Sequence, residues 1–524
     1  MRISERARGQ SETLVDECVT LDQQWRTADF ECNAIRKQQN IASKQFGKLM
    51  QRLKKTQDAE EKVQIEQERA ELKLHIDQLK VSLAEQSTKV SDISNRLTER
   101  FSHIGNLVHS SVPRAQDEIH NEVVSQWTTQ SDQSDSSVPT TPEGELYHHH
   151  QLLAMIGGYQ PKQGAALAGH RGYFLTGPGF LLTQALLNHS LATLSAQDYT
   201  PVQPPYLLRH SAMSKVAQLE DFDETLYRVE GDGDGDAYLI ATSEQPLAAL
   251  HMKETLTTEQ LPLQYAGYST CFRREAGGHG RDSWGLFRVH QFEKVEQFVL
   301  CAPDESWEHL ENMKNTAEQF YQGLGLPYRT ISIVSGALNN AAAKKYDLEA
   351  WFPARQEYRE LVSVSNCTDY QSRATSTFYN YQNQKDKNKH RPYVHMLNGT
   401  LCAAQRTLCC VLENYQTPEG IRVPKVLQPF VGKDFFPFLH PAPPAAEAPK
   451  SDKNKSTHEM KGNHTRGYSS VAARKWQGSG IAKVNGNTRG FSTSIHHTYR
   501  PTHLSTRASP SWRMGIQRAM RMIK

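Results

Sequence analysis

Residues Tyr268–Val299 read YSTCFRREAGGHGRDSWGLFRVHQFEKVEQFV. Two runs of strand-like composition flank a glycine-rich loop, Ala276–Gly285, with Arg273, Glu275, Arg288 and Glu296 at or near the ends of those runs. Any one of these residues would ordinarily be half of a surface ion pair, which contributes little. Framing a single loop, they suit an anionic ligand, because a guanidinium stays charged and grips phosphate with two prongs. Gly277, Gly278 and Gly280 lead into neither GK[ST] nor GxGxxG at a helix start, so the loop is not a Walker or Rossmann cradle; the glycines are expected to give it mobility.

Four further segments surround this one: Asp198–Met213 (DYTPVQPPYLLRHSAM), Leu239–Gln245 (LIATSEQ), Lys344–Arg373 (KKYDLEAWFPARQEYRELVSVSNCTDYQSR) and Asn398–Tyr415 (NGTLCAAQRTLCCVLENY). FRREAGGHGRDSWGLFRVHQFEKVEQF resembles motif 2 of class II aminoacyl-tRNA synthetases in the form carried by seryl-tRNA synthetases of the cytosolic eukaryotic type. Asp198–Met213 resembles motif 1, with Pro205 in place of the proline at the dimer interface. Thr242 and Glu244 match the TxE loop, and Asn398–Tyr415 resembles motif 3 with Arg406 as its arginine. The resemblance runs with little interruption from roughly residue 10 to 438. It implies an α+β fold: a class II antiparallel sheet flanked by helices, preceded by a long antiparallel helical hairpin of coiled-coil type. It also implies a cytoplasmic homodimeric ligase that uses ATP to convert L-serine to seryl-adenylate and transfers it to tRNA(Ser), and also to tRNA(Sec).

The chemistry explains the residue types. A carboxylate must attack the α-phosphorus of a polyanion, so cations must neutralise the developing charge. The resemblance gives Arg273 the bridge between α-phosphate and serine carboxylate, and Arg288 and Arg406 the β- and γ-phosphates; these three are the candidate catalytic residues. Phe292 is expected to stack on adenine with Arg406 on the opposite face, and Glu275 to accept from the adenine amino group. Arg274, Val289, His290, Gln291, Leu361 and Val362 complete the expected ATP-binding set. Glu360 and Ser363 are placed by the resemblance at Mg²⁺, which prefers hard oxygen ligands; read alone, they would be a helix-end carboxylate and a capping hydroxyl. Thr242 and Glu244 are expected at the serine ammonium group, Glu244 by charge, with Ser243 also in the serine-binding set and Arg273 at the carboxylate. Glu296, Asn398 and Thr400 are expected around the hydroxyl, where buried hydrogen-bonding groups reject alanine because they would be left unpaired.

The amino-terminal region is legible without any resemblance. Leu14, Cys18, Leu21, Trp25, Ala28, Cys32, Ile35, Gln39, Ala42, Phe46, Leu49 and Leu53 follow a 4-3 spacing, as do Ile65, Arg69, Leu72, Ile76, Leu79, Leu83, Gln86, Val90, Ile93 and Leu97. Two heptad seams joined by the polar stretch Lys54–Lys62 predict a hairpin whose arms of roughly 40 residues reach about 60 Å, too long for a compact domain. Periodicity alone fits a dimerisation coiled coil equally well. Lys44, Lys48, Arg52 and Lys55 recur at i, i+4, i+8 and i+11, and this basic stripe near the tip tilts the reading toward an RNA-binding arm, since it suits phosphate contacts; the resemblance implies that the RNA is tRNA.

Thr128–Glu145 is rich in Ser, Thr, Gln, Asp and Pro. The expected domains are therefore the arm at 1–125, a polar linker at 126–146, a catalytic domain at 147–438 and a basic, disordered tail at 439–524. The chain has a formal net charge of +3, but Lys461–Lys524 holds 12 Lys or Arg and no Asp or Glu, leaving −9 on residues 1–460. Any RNA-binding surface of the body must then be local. RGYSS (466–470) and RGFSTS (489–494) stand in that acid-free tail. Of three readings, a nucleic-acid-binding extension, a targeting segment or translation of an adjoining reading frame, the last is favoured.

Hydrophobic residues make up 37% and no run of about 18 apolar residues occurs, which argues against a membrane span. The amino terminus lacks an apolar signal core. The 8 cysteines form no CxxC pair, so neither zinc nor a disulfide framework is expected. GDGDGD at 231–236 fails the EF-hand pattern at its sixth and twelfth positions and is expected to be a hairpin turn. His148–His150 is read as a solvated run beside the linker. The segment before residue 10 is shorter than the family's, which predicts looser packing at the base of the arm, and polar Ala374–His390 departs from the family's strand. Two rival functions remain: an enzyme loading an activated amino acid onto a carrier protein, whose known forms lack the hairpin, and a catalytically silent RNA-binding protein, against which the full set of arginines and carboxylates argues.

Overall fold

The structure, a computed structural model, describes residues 1–128, 146–218, 222, 224–231, 235–275, 284–380 and 392–443. A short helix α1 (Arg2–Ala7) precedes the two long helices α2 (Thr13–Lys55) and α3 (Ala59–Ser102). At 1.5 Å per residue these run about 65 Å each, and they pack along the heptad seams. Cys18, Leu21, Trp25, Ala28, Cys32 and Ala42 on α2 and Ile65, Ile76, Leu79, Ile93 and Leu97 on α3 are buried. The polar seam residue Gln86 is satisfied across the interface, its amide donating to the Ala28 carbonyl (3.2 Å) and the Glu31 carboxylate (2.6 Å). The turn is tighter than the polar stretch suggested, occupying 56–58, and Asp58 caps α3 by accepting from Glu60 N.

The amino terminus is not loose. Arg8 is 5% exposed and donates to the carbonyls of Asn106, Leu338, Asn339 and Ala342, while Glu5 accepts from Gly105 N (3.0 Å). This segment closes the base of the arm because buried carbonyls there need donors.

The body is built on an eight-stranded sheet. Its strands in chain order are β1 (Glu122–Trp127), β2 (Thr200–Val202), β3 (Leu263–Phe272), β4 (Gln291–Cys301), β5 (Tyr328–Ser332), β6 (Lys344–Phe352), β7 (Glu357–Asn366) and β8 (His395–Ala403). Across the sheet they lie β1-β5-β6-β7-β8-β4-β3-β2. Every pairing is antiparallel except β2 with β3. Helices Gly177–Ser195, Ser306–Gly323 and Ala404–Asn414 pack their apolar residues with the sheet in one core that includes Leu186, Phe320, Leu408, Val299 and Leu348. β1 runs across the boundary expected at 125–126: the hairpin ends at Ser102, and Glu122–Trp127 already belongs to the sheet as its edge.

Two expectations on histidine and glycine-rich text resolve differently. His149 is 1% exposed, with Nδ1 3.1 Å from Glu413 Oε1 and Nε2 3.2 Å from the Trp284 carbonyl. The histidine run is therefore not solvated; it joins the end of the glycine-rich loop to helix Ala404–Asn414. Strands Arg228–Val229 and Ala237–Leu239 pair antiparallel around GDGDGD, with Arg228 bridging Asp236 at 2.6 Å, in keeping with a hairpin. Asp232, Asp234, Gly277, Gly278, Gly280, most of the linker, 381–391 and the basic tail lie outside the described residues.

Candidate active site

β3 and β4 form the long hairpin written in Tyr268–Val299, with Phe292 opposite Cys271 and Glu296 opposite Gly267. Alternation along β4 puts Phe292, Lys294 and Glu296 on one face. Two β-bulges shape that face. Leu401 is the extra residue between the pairs Val295–Cys402 and Glu296–Thr400, and Leu361 is the extra residue between Leu348–Val362 and Glu349–Glu360. Bulges re-aim side chains at site-bearing strands; here one brings Thr400 opposite Glu296 and the other sets Glu360 and Leu361 beside the same cleft.

The cleft encloses about 500 Å³. Arg273, Glu275, Arg288 and Arg406 line it as the charged wall, and Val289, Phe292, Glu360, Leu361 and Thr400 line it as well. Nine expected residues, drawn from four separate parts of the chain, thus share one hollow. Arg288 and Glu275 lie 3.6 Å apart, and Arg171, whose partnership the sequence did not suggest, approaches Glu275 at 3.9 Å. Glu275 has a φ of +48°, a left-handed value unusual for a residue with a side chain, at the start of the loop. Arg406 Nε donates to the Phe287 carbonyl (3.2 Å) and its Nη1 to the Glu360 carbonyl (3.3 Å). Phe292 and Arg406 both line the cleft; Arg273 lies over the Phe292 ring (5.2 Å to the centroid) and Arg406 over Phe287 (5.0 Å), a ring also covered by Arg355 and Arg359.

Beside the cleft sits a nearly dry carboxylate. Glu296 is 2% exposed. Its Oε2 accepts from Thr242 Oγ1 (2.6 Å), Ser243 Oγ (2.7 Å) and Glu244 N (3.0 Å), and its Oε1 from Lys294 Nζ (2.9 Å). Burial alone would raise this carboxyl, but Lys294 and the hydroxyl donors outweigh it and hold it below the ordinary range. Each carboxylate oxygen has about two acceptor sites, so Oε1 keeps capacity for a further donor. Glu244 is held in turn: Gln371 Nε2 (2.6 Å) and Asn398 Nδ2 (3.0 Å) donate to its Oε1.

Ser363 Oγ donates to Asp347 Oδ1 (2.7 Å) and reaches Glu360 Oε1 at 3.2 Å. Burial pushes the Asp347 carboxyl up to about 6, with Lys345 opposing and Glu360 adding to it. The Glu360 carboxyl is raised by burial and lowered more strongly by Arg406 and Lys345, so its net direction is down. This donor set is all oxygen and carries two carboxyls, a fit for Mg²⁺.

The remaining expected residues are peripheral to the cleft. His290 Nδ1 meets the Arg273 carbonyl (3.0 Å), Arg274 N donates to the Thr225 carbonyl (2.9 Å), the Gln291 carbonyl accepts from Tyr173 (2.9 Å), and Val362 is buried in the core. Lys44, Lys48, Arg52 and Lys55 are exposed on α2 some distance along the arm, with Arg52 3.2 Å from Glu61 across the turn. Besides Arg171, four contributors were missed by sequence reasoning. Lys294 carried a signal, lying between Phe292 and Glu296 at strand period. Asp347 and Gln371 did not: the first is found through its register opposite Ser363, the second through a contact spanning 127 positions. Arg359 borders a second hollow of about 560 Å³ along Arg288, Asp347, Glu360 and Arg406.

Known proteins bear on this geometry. Residues 1–108 match the family described as the seryl-tRNA synthetase N-terminal domain, and 227–415 the tRNA synthetase class II core domain (G, H, P, S and T). The cytoplasmic serine–tRNA ligase of Arabidopsis thaliana is 46% identical over 459 residues, covering 87% of this chain and 96% of its own. That of Homo sapiens is 44% identical over 481 residues, covering 85% and 89%. A crystal structure of cytoplasmic serine–tRNA ligase from Naegleria fowleri in complex with AMP superposes with a TM-score of 0.70 at 40% identity, covering 84% of this chain and 95% of that one. Seryl-tRNA synthetase from Pyrococcus horikoshii complexed with ATP gives 0.71 at 34%, covering 84% and 97%.

Proposed function

From the premise that the chain belongs to the seryl-tRNA synthetase family of class II serine–tRNA ligases, we propose that its cleft activates L-serine with ATP and transfers the seryl group to tRNA(Ser), and also to tRNA(Sec). The observation that carries this reading is the convergence of Arg273, Arg288 and Arg406 on one hollow with Phe292, Glu360 and Thr400. A serine carboxylate oxygen attacks the α-phosphorus, the bond to the β-phosphate bridge breaks and pyrophosphate leaves. Arg273 steadies the carboxylate and α-phosphate, and Arg288 and Arg406 hold the β- and γ-phosphates, so that charge developing in the transition state meets fixed cations. Glu275, Val289, Phe292 and Leu361 form the ATP-binding surround, with Arg274, His290, Gln291 and Val362 behind them. Glu360 and Ser363, with Asp347 behind Ser363, would hold Mg²⁺, which when bound neutralises phosphate charge.

Glu244 takes the serine ammonium group with Thr242 and Ser243 beside it, and the spare acceptor capacity of Glu296, with Asn398 and Thr400, receives the serine hydroxyl. Alanine would leave those groups unpaired. A terminal ribose hydroxyl of the tRNA then attacks the acyl carbon and AMP leaves. Lys44, Lys48, Arg52 and Lys55 on the arm contact tRNA phosphates, reading shape more than bases. Exposed Leu167, Phe174, Phe180 and Leu181 support a homodimer, in which each arm would serve the partner's cleft. Relatives named cytoplasmic support a cytoplasmic location; no helix among the described residues is long and apolar enough to cross a membrane. ATP–pyrophosphate exchange over a panel of amino acids tests the assignment: serine should dominate, and preferential activation of alanine or glycine would refute it.

A further inference from the structure

The amino terminus, the root of the arm and the amino-acid side of the cleft are joined by buried polar contacts that the reaction does not itself require. Arg8 donates to the Asn106 carbonyl from Nε (3.3 Å) and Nη2 (3.0 Å). Asn106, 2% exposed, turns its own amide onto the Cys367 carbonyl (2.8 Å) and Thr368 Oγ1 (3.0 Å). Thr368 has a φ of +44°, a left-handed value that a β-branched residue holds only when its surroundings over-determine it. Two residues on, Tyr370 donates its hydroxyl to the Ile104 carbonyl (3.2 Å). The next residue is Gln371, whose amide meets Glu244. Asn398, the other amide on Glu244, also reaches Cys367 Sγ (3.4 Å). Both amides that donate to Glu244 Oε1 therefore lean on 367–371, and that segment hangs from 104–106.

We propose that Asn106, itself held by Arg8, is a positioning residue for amino-acid binding: it pins the Cys367–Thr368 turn so that Gln371 and Asn398 keep Glu244 where the substrate's ammonium group meets it. The inference rests on the reading that Glu244 receives that group. Its effect is selective, because Arg406 on the ATP side is anchored elsewhere, on the carbonyls of Phe287 and Glu360.

The test is ATP–pyrophosphate exchange by the full-length protein without tRNA. Asn106→Ala should raise the serine KM about tenfold, as small displacements of a binding group do, with kcat and the ATP KM within about twofold of wild type. Adding Thr368→Gly, where glycine accepts the positive φ at no steric cost, should bring the serine KM most of the way back. An unchanged serine KM in soluble Asn106→Ala, an equal rise in both KM values, a loss of kcat alone, or no recovery in the double variant would each overturn the proposal. Should Asn106→Ala not fold, Arg8→Gln is read by the same criteria. Glu244→Gln separates the two layers. If it leaves the serine KM unchanged, the parent reading of Glu244 fails; if it raises the serine KM while Asn106→Ala does not, only the positioning role fails.

Discussion

In the arm, residues find their partners close by along each helix and across a regular seam; in the cleft they do not. Arg26 pairs with Asp22 four positions away, whereas Glu296 is held by Thr242 and Ser243 from 54 and 53 positions off, and Glu244 by Asn398 from 154. The arm's charges are mostly solvated and its stability comes from a repeated apolar stripe, each layer interchangeable with the next. The cleft's charges are mostly withdrawn from water, where each must be matched individually because an unmatched one is costly. Tolerance to substitution should therefore be graded in the arm and abrupt in the cleft.

The comparison breaks most visibly at Arg406. Arg406→Ala should lower the rate of pyrophosphate exchange by about 10³-fold, the loss expected when one preorganised cation is removed from a developing charge; a loss under tenfold would mean that the guanidinium cluster is not the catalytic wall. Next comes the buried Glu413–His149 pair. Burial would raise Glu413, but His148 and His149 bring it down to about 2; His149, lowered by burial, is raised overall by Cys409 and Glu413. The carboxyl's contribution is complete above its unfolded value near 4.5 and is lost as pH falls toward 2. The imidazolium's contribution is complete below its unfolded value near 6.5 and is lost as pH rises through its elevated folded value. Glu413→Gln should cost on the order of 3 kcal/mol in urea unfolding, with the largest gap from wild type between those two unfolded values and a smaller one toward either extreme.

On the arm, Lys44→Gln with Lys48→Gln should raise the KM for tRNA about tenfold and flatten its dependence on log salt by close to two charges; an unchanged salt slope would remove the stripe from the RNA interface. Smallest of all, Gln86→Leu exchanges a satisfied polar seam position for an apolar one and should shift the thermal midpoint by no more than a few degrees. A collapse there would show that the arm, like the cleft, depends on single matched contacts.

How much could be read in advance follows the same division. The heptads located both long helices and their buried faces to within a few residues, because a seam is a local pattern. Within the cleft, the residues on β4 were legible, since Phe292 and Glu296 differ by an even number and share a face; Lys294 between them was available by the same rule. Asp347, Arg359 and Gln371 were not: register across a bulged ladder brings the first two to the site, and Gln371 arrives on the helix Tyr370–Thr375 through a contact 127 positions away from its partner. The histidine run misled for a related reason: polar text beside a linker reads as solvated, and nothing near His149 in sequence announces Glu413, 264 positions later. The turn at 56–58 came out shorter than the polar segment implied because Lys54, Lys55, Glu60 and Glu61 continue the helices outward into solvent.

Arg8 also constrains the order in which the chain can mature. Its carbonyl partners at 338–342 leave the ribosome more than 300 residues after it does. The two arm helices can zip together early from nearby contacts, whereas the first eight residues must wait, tethered and exposed, until the far side of the body has been synthesised. A bulky tag fused ahead of Met1 would have to be carried through that late closing step.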